Sequence, residues 1–160
     1  MQRVWAPWRM AYIDNIPTTD GCFLCEFSDQ SICEGNLVVW KSDLVLCVMN
    51  RFPYNNGHLL VAPCAHKGEI EDLTPPERTA LFDGLVDAKK LLDKVMCPDG
   101  FNVGLNIGRA AGAGLADHLH FHIVPRWGGD TNFMPVLADT KVIPQALCDL
   151  YAKLVEAWNE

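Results

Sequence analysis

Short runs in which apolar residues dominate or alternate with polar ones recur along this 160-residue chain, and they predict strands in five places. Leu37–Lys41 and Leu44–Met49 are rich in β-branched and aromatic residues and are separated by Ser42-Asp43, the pattern of a hairpin. His58–Pro63 follows the turn signal Asn55-Asn56-Gly57 and is closed by Pro63, which predicts a third, central strand. Phe101–Ile107 predicts a fourth. From His118 to Val124 polar and apolar residues alternate strictly, so a fifth strand places His118, His120 and His122 on one face. Leu119, Phe121 and Ile123 then take the face that helices cover.

Two segments change period from two to about 3.6. Thr74-Pro75-Pro76-Glu77 combines an N-cap threonine, a proline at the first helical position and a glutamate able to bond back to the cap. Leu81, Leu85, Ala88, Leu92 and Val95 carry the apolar stripe to about Met96, where Pro98-Asp99-Gly100 ends it. A second amphipathic helix runs from Pro144 to about Trp158. The expected architecture is α+β: a mainly antiparallel five-stranded sheet with two helices over its apolar face and the histidine face open. Residues 1–160 read as a single domain whose first 35 residues form an arm, since turn formers interrupt that stretch and no repeat or linker divides the rest.

Composition narrows the function classes. A net charge of −7 and a pI near 5.1 provide no general field for a polyanion, so nucleic acid is an unfavoured partner. No run reaches the ~18 consecutive apolar residues of a membrane span, and the start lacks a secretory core, so the expected location is the cytoplasm with no membrane partner. Seven cysteines are an odd number for a disulfide framework. Cys33, Cys47, Cys64, Cys97 and Cys148 stand alone and are expected as small buried hydrophobes. Cys22 and Cys25 differ, because their spacing lets two thiolates meet one tetrahedral ion.

Three of the five histidines fall in the alternating segment. Imidazole serves as ligand, nucleophile and general acid or base near neutral pH, so three rings in register point to chemistry more than to packing. Just upstream, Gly108-Arg109-Ala110-Ala111-Gly112-Ala113-Gly114 is a small-residue loop in which Gly112 and Gly114 let a ligand approach backbone N–H groups. Together these features suit phosphoryl chemistry, with a histidine attacking phosphorus and N–H dipoles holding the oxygens.

At these residues the chain resembles the histidine triad (HIT) family of nucleotidyl hydrolases and transferases: His118-Leu119-His120-Phe121-His122-Ile123-Val124 matches its signature throughout. Gly57–His66 and Leu105-Asn106-Ile107-Gly108 look like the family's flanking strands. Trp5-Ala6-Pro7-Trp8-Arg9, Pro125–Asp130 and Asn132-Phe133-Met134 look like its bacterial zinc-binding branch of diadenosine tetraphosphate phosphorylases. The resemblance implies that His120 is the nucleophile, carrying a covalent nucleotidyl group that water or phosphate releases. It implies that His122 contacts phosphate or leaving group, that Asn50 meets the ribose, and that Asn106 meets a phosphate. The substrate would be an adenine nucleotide or dinucleoside polyphosphate, and the assembly a homodimer, with the long helix and Trp158 as contact candidates. Many hydrolases of the family carry a Gln followed by Ser or Thr before the first histidine; Ala113-Gly114-Leu115-Ala116-Asp117 offers neither, in better agreement with the phosphorylase branch.

The resemblance extends to a metal. In the related galactose phosphate uridylyltransferases a CxxC pair is joined by two histidines, which correspond here to His66 and His118. A structural zinc on Cys22, Cys25, His66 and His118 would tie the arm to the catalytic strand and leave no open coordination position. The rival functions are a nucleoside phosphoramidate hydrolase using the same nucleophile and a zinc-stabilised nucleotide-binding module without turnover. Trp5, Trp8, Phe23 and Trp127 are equally credible as stacking partners and as packing, so none is assigned a base.

Overall fold

A computed structural model describes residues 21–132, 135 and 142–160. The Trp5–Arg9 motif, the arm up to Asp20 and Phe133-Met134 lie outside the described residues. Five antiparallel strands form one sheet in the order β1-β2-β3-β5-β4: β1 (Val38–Lys41), β2 (Val45–Met49), β3 (Leu59–Pro63), β4 (Gly100–Leu105) and β5 (Phe121–Arg126). The expected hairpin joins β1 to β2, its turn held by Ser42 Oγ, which accepts from the Val45 N–H at 3.1 Å. β3 is central as expected, and β4 is an edge strand.

Helix α2 (Pro75–Met96) begins where its sequence signals place it. The Thr74 N–H donates to Glu77 Oε2 at 2.6 Å, the Glu77 N–H donates back to Thr74 Oγ1, and Lys67 Nζ donates to the same carboxylate at 2.7 Å. The helix ends at Cys97, which adopts the left-handed conformation with φ 46°. Helix α3 (Leu147–Asn159) starts three residues after Pro144 and packs on β1 and α2. Trp158 stacks on Trp40 with centroids 4.9 Å apart, so its ring is used within the chain.

Two expectations need correction. The CxxC pair, expected within an arm of turn formers, opens a third helix, α1 (Phe23–Asp29), with Cys22 as its N-cap. The lone cysteines are not uniformly buried: Cys47 is, whereas Cys64 is half-buried and Cys33, Cys97 and Cys148 are exposed, two of them at or beside helix ends where the chain turns to solvent.

The core lies between the sheet and α2 and α3, with every residue of β2 and β3 buried. The sheet is therefore covered on both faces at its centre, and not half open there as alternation alone suggests. Among the described residues no helix is long and apolar enough to cross a membrane.

Candidate active site and metal centre

The ladder of β5 begins only at Phe121, so of the three histidines His122 alone is within the strand. His118 and His120 belong to an extended lead-in, where the Leu119 N–H donates to the Lys67 carbonyl at 2.7 Å. Register pairs His122 with Leu60 on β3 and with Gly104 on β4. The rings of His120 and His122 meet edge to face, 5.0 Å apart. His118 turns toward the cysteines, so the three rings divide between two neighbouring sites.

Backbone groups fix the tautomers of His118 and His120, because a carbonyl can only accept and an amide N–H can only donate. His118 Nε2 lies 2.8 Å from the Pro63 carbonyl and carries the proton there, which leaves Nδ1 bare toward Cys22 Sγ at 3.1 Å and Cys25 Sγ at 3.5 Å. His120 Nδ1 lies 2.9 Å from the His118 carbonyl, so Nδ1 donates and the lone pair is on Nε2. That nitrogen has no hydrogen-bond partner among the described residues. Burial holds His118 and His120 below the ordinary imidazole pKa, keeping both lone pairs free.

A fourth histidine, to which the sequence reading gave no role, completes the row. His58 is buried at the entrance to β3, and its Nδ1 accepts the Tyr54 backbone N–H at 3.0 Å and lies 3.2 Å from the Asn50 amide nitrogen. Burial, assisted by the neighbouring His122 and His120, pushes its pKa down to about 3, so it is neutral with its proton on Nε2. That proton points at His122 Nδ1, 2.9 Å away. His122 must then carry its own proton on Nε2. The Asn106 amide nitrogen lies 3.4 Å from this atom, and since two N–H donors do not bond, the amide presents its oxygen there after a half-turn. His58 stands two residues before Leu60, the strand position opposite His122, a neighbourhood that only the sheet register reveals.

Asn50 does not stand free at the site's edge. Its oxygen accepts the Phe52 N–H at 2.9 Å while its amide nitrogen faces His58, so its first task is to hold the β2–β3 loop against His58. Gly112 adopts φ 87°, yet its N–H donates to the Arg109 carbonyl at 2.9 Å and closes a single 3₁₀ turn. Of the two glycines expected to offer N–H groups, only Gly114 has none committed among the described residues. A surface cavity of about 550 Å³ lined by Asn56, Trp127, Gln145 and Lys153 includes none of the four histidines of this row.

Cys22, Cys25, His66 and His118 do converge: one ligand atom from each lies within 4.8 Å of all the others. His66 Nδ1 is 3.3 Å from Cys25 Sγ. Two thiols and two imidazoles at this separation match the donor set and the size of a tetrahedral zinc site. Burial raises the Cys25 thiol to about 11, with the Cys22 hydrogen bond and charge adding to the effect, so a divalent ion would have to displace protons on binding. The cluster can hold a metal.

The HIT domain model matches residues 34–129. The chain is 42% identical over 165 residues to the AP-4-A phosphorylase of Mycobacterium tuberculosis, covering 99% of this chain and 85% of that protein. It is 33% identical over 96 residues to the asymmetrical bis(5'-nucleosyl)-tetraphosphatase of Schizosaccharomyces pombe, covering 60% of this chain and 52% of that protein. A crystal structure of a zinc-bound histidine triad family protein from Mycobacterium smegmatis superposes with a TM-score of 0.67 over 87% of this chain and 94% of that one; at 21% identity it establishes a shared fold. The protein belongs to the histidine triad family, and its similarity to the phosphorylase extends over nearly the whole chain.

Proposed function

We propose that this protein cleaves a dinucleoside polyphosphate at an α-phosphate, with His120 as nucleophile and inorganic phosphate as the acceptor. The observation that carries the reading is the fixed tautomer pair: a bare Nε2 on His120 beside an Nε2–H on His122. The His120 lone pair forms the N–P bond as the bond between the α-phosphorus and its bridging oxygen breaks. The departing oxygen takes the electron pair and accepts a hydrogen bond or the proton from His122. A phosphate oxygen then attacks the same phosphorus, the N–P bond breaks, and a nucleoside diphosphate leaves with His120 restored. Asn106 and the N–H of Gly114 serve the phosphate oxygens, Asn50 and Gly112 acting through the loops they close. Phosphate as acceptor rests on the phosphorylase relative and on the loop's lack of the hydrolases' Gln and Ser or Thr.

The four-residue cluster is assigned a structural zinc. The ion would supply crosslinking of α1 to the lead-in of β5, and no reaction step is routed through it. Because the His118 carbonyl is the acceptor that orients His120, anchoring His118 restrains the nucleophile. The assembly is assigned as a homodimer through the edge of β4 that no described strand pairs and the neighbouring face of α2, where Val103, Phe82 and Val86 are exposed. Light scattering should give twice 17.8 kDa; a monomer mass would refute the assignment. Seven free thiols support a cytoplasmic location.

The decisive experiment incubates the protein with diadenosine tetraphosphate, with and without phosphate, and weighs the products. ADP plus ATP formed only with phosphate is the expected result; AMP without phosphate makes the enzyme a hydrolase, and cleavage confined to phosphoramidates or no turnover at all refutes the reading. His120→Ala should abolish turnover and leave the circular dichroism spectrum unchanged. Wild-type rates in that variant would exclude His120 as nucleophile.

A further inference from the structure

Tyr54 has no role in the chemistry above, yet it occupies a defined place in the site. Its ring lies nearly parallel to that of His122, with centroids 5.5 Å apart and planes at 24°, and tilts over His58 at 4.5 Å. Even so the residue is 47% exposed. One face therefore rests on the histidine pair while the remainder of the ring is open to solvent.

The order of the rings gives this exposure a direction. Running along the site, the metal cluster comes first, then His118, His120, His122 and Tyr54. His118 is fully buried, so the side of His120 toward the metal cluster is filled by protein even though His66 beyond it is exposed. A substrate whose α-phosphorus is on His120 and whose bridging oxygen is at His122 must extend its departing portion toward the open end, and Tyr54 bounds that end. His120 and Tyr54 are separated by two ring contacts, 5.0 and 5.5 Å.

Tyr54 is also held in advance. Its own N–H is bound to His58, and the next residue, Asn55, donates from its side chain to the Pro125 carbonyl at 3.1 Å and to Asp130 at 2.8 Å. Arg126 pairs with the same carboxylate and holds it well below the usual carboxylate pKa range. The loop carrying the ring is thus pinned to the exit of β5, and little ordering remains to be done when a ligand stacks on it.

Resting on the nucleotidyl-His120 reading, we infer that the open face of Tyr54 stacks on the base of the departing nucleotide and makes the enzyme selective for substrates with a second nucleoside. Aromatic stacking on a base is strong enough to separate leaving groups by about tenfold to a hundredfold.

The test compares diadenosine tetraphosphate with adenosine 5'-tetraphosphate, which keeps the phosphate chain and lacks only the second nucleoside. For Tyr54→Ala, kcat/KM on the dinucleotide should fall by about tenfold to a hundredfold, mainly through KM, with the mononucleotide rate little changed. Tyr54→Phe should retain the selectivity. An equal loss on both substrates would make Tyr54 a positioning residue for His58 and His122 and overturn the inference, as would a Phe variant as impaired as Ala, which would transfer the role to the hydroxyl. If the wild-type protein cleaves neither substrate, the nucleotidyl reading fails and this inference with it; if it cleaves both without preference, only the inference fails.

Discussion

The chemistry of single residues in this site is set by hydrogen bonds from the backbone. Imidazole exchanges freely between its two tautomers in water, yet the Pro63 and His118 carbonyls and the Tyr54 N–H each leave only one choice. His58 then passes its constraint to His122. Removing that donor while preserving ring volume should expose its value: His58→Phe is expected to lower kcat by about tenfold to a hundredfold, because His122 becomes free to rotate or change tautomer. Stopped-flow turnover checks this, with circular dichroism to confirm folding; an unchanged kcat would show that His122 needs no orienting partner. The alternation of residues 118–122 made the neighbouring rings of His120 and His122 legible, though not the turn of His118 toward the cysteines. The part of His58 was not legible, since a lone histidine at a strand entrance is most simply a core residue, and only the sheet register brings it beside His122.

At the scale of elements, α2 is fastened at one end and pressed against the sheet in its middle. Gly84 permits the close approach: a Cβ there would be 2.9 Å from Trp40 Cη2 and 3.0 Å from Val45 Cγ1. Gly84→Ala gains about 1 kcal/mol of helix propensity but crowds two packed side chains, so a net destabilisation of about 1–2 kcal/mol is expected in urea unfolding. A more stable variant would mean that the interface relaxes freely.

At the helix's start, the Lys67 ammonium and the Thr74 N–H and hydroxyl hold the Glu77 carboxyl down to about 2, against an ordinary value of 4.5. A depressed carboxylate stabilises the fold above the unfolded value and loses that contribution as pH falls through the folded one. The stability gap between wild type and Glu77→Gln should therefore be full at pH 7 and close between pH 4.5 and 2, measured by denaturation at each pH. A gap independent of pH would assign the effect to packing. The start of this helix was readable from Thr74, Pro75 and Glu77, because a capping box is local. Lys67 was not part of that signal, being brought to the cap by the connection from β3.

For the whole molecule, the four-residue cluster joins segments separated by up to 96 residues in the chain. A metal there should act chiefly on stability. Cys22→Ser is expected to lower bound zinc, read by mass spectrometry under native conditions, and to lower the melting temperature, whereas a chelator should destabilise the wild type and have little further effect on the variant. One zinc per chain retained in Cys22→Ser would defeat the ligand set.

Taken alone, the sequence was sufficient for four of the five strands, for the two longer helices and for the candidacy of CxxC as a ligand pair, because periodicity, caps and short spacings act over a few residues; it missed the short helix at the cysteines and began the last strand three residues early. It did not show that a 3₁₀ turn uses the Gly112 N–H, and it misjudged the lone cysteines, whose exposure depends on where the elements end. Tertiary structure alone decided which proton is on which ring, the partnership of His58 with His122, and the half-open ring of Tyr54 beside them. The physical reason is that a tautomer, a stacked face and a four-cornered ligand set are relations between groups distant in sequence, and only closing the sheet makes those groups neighbours.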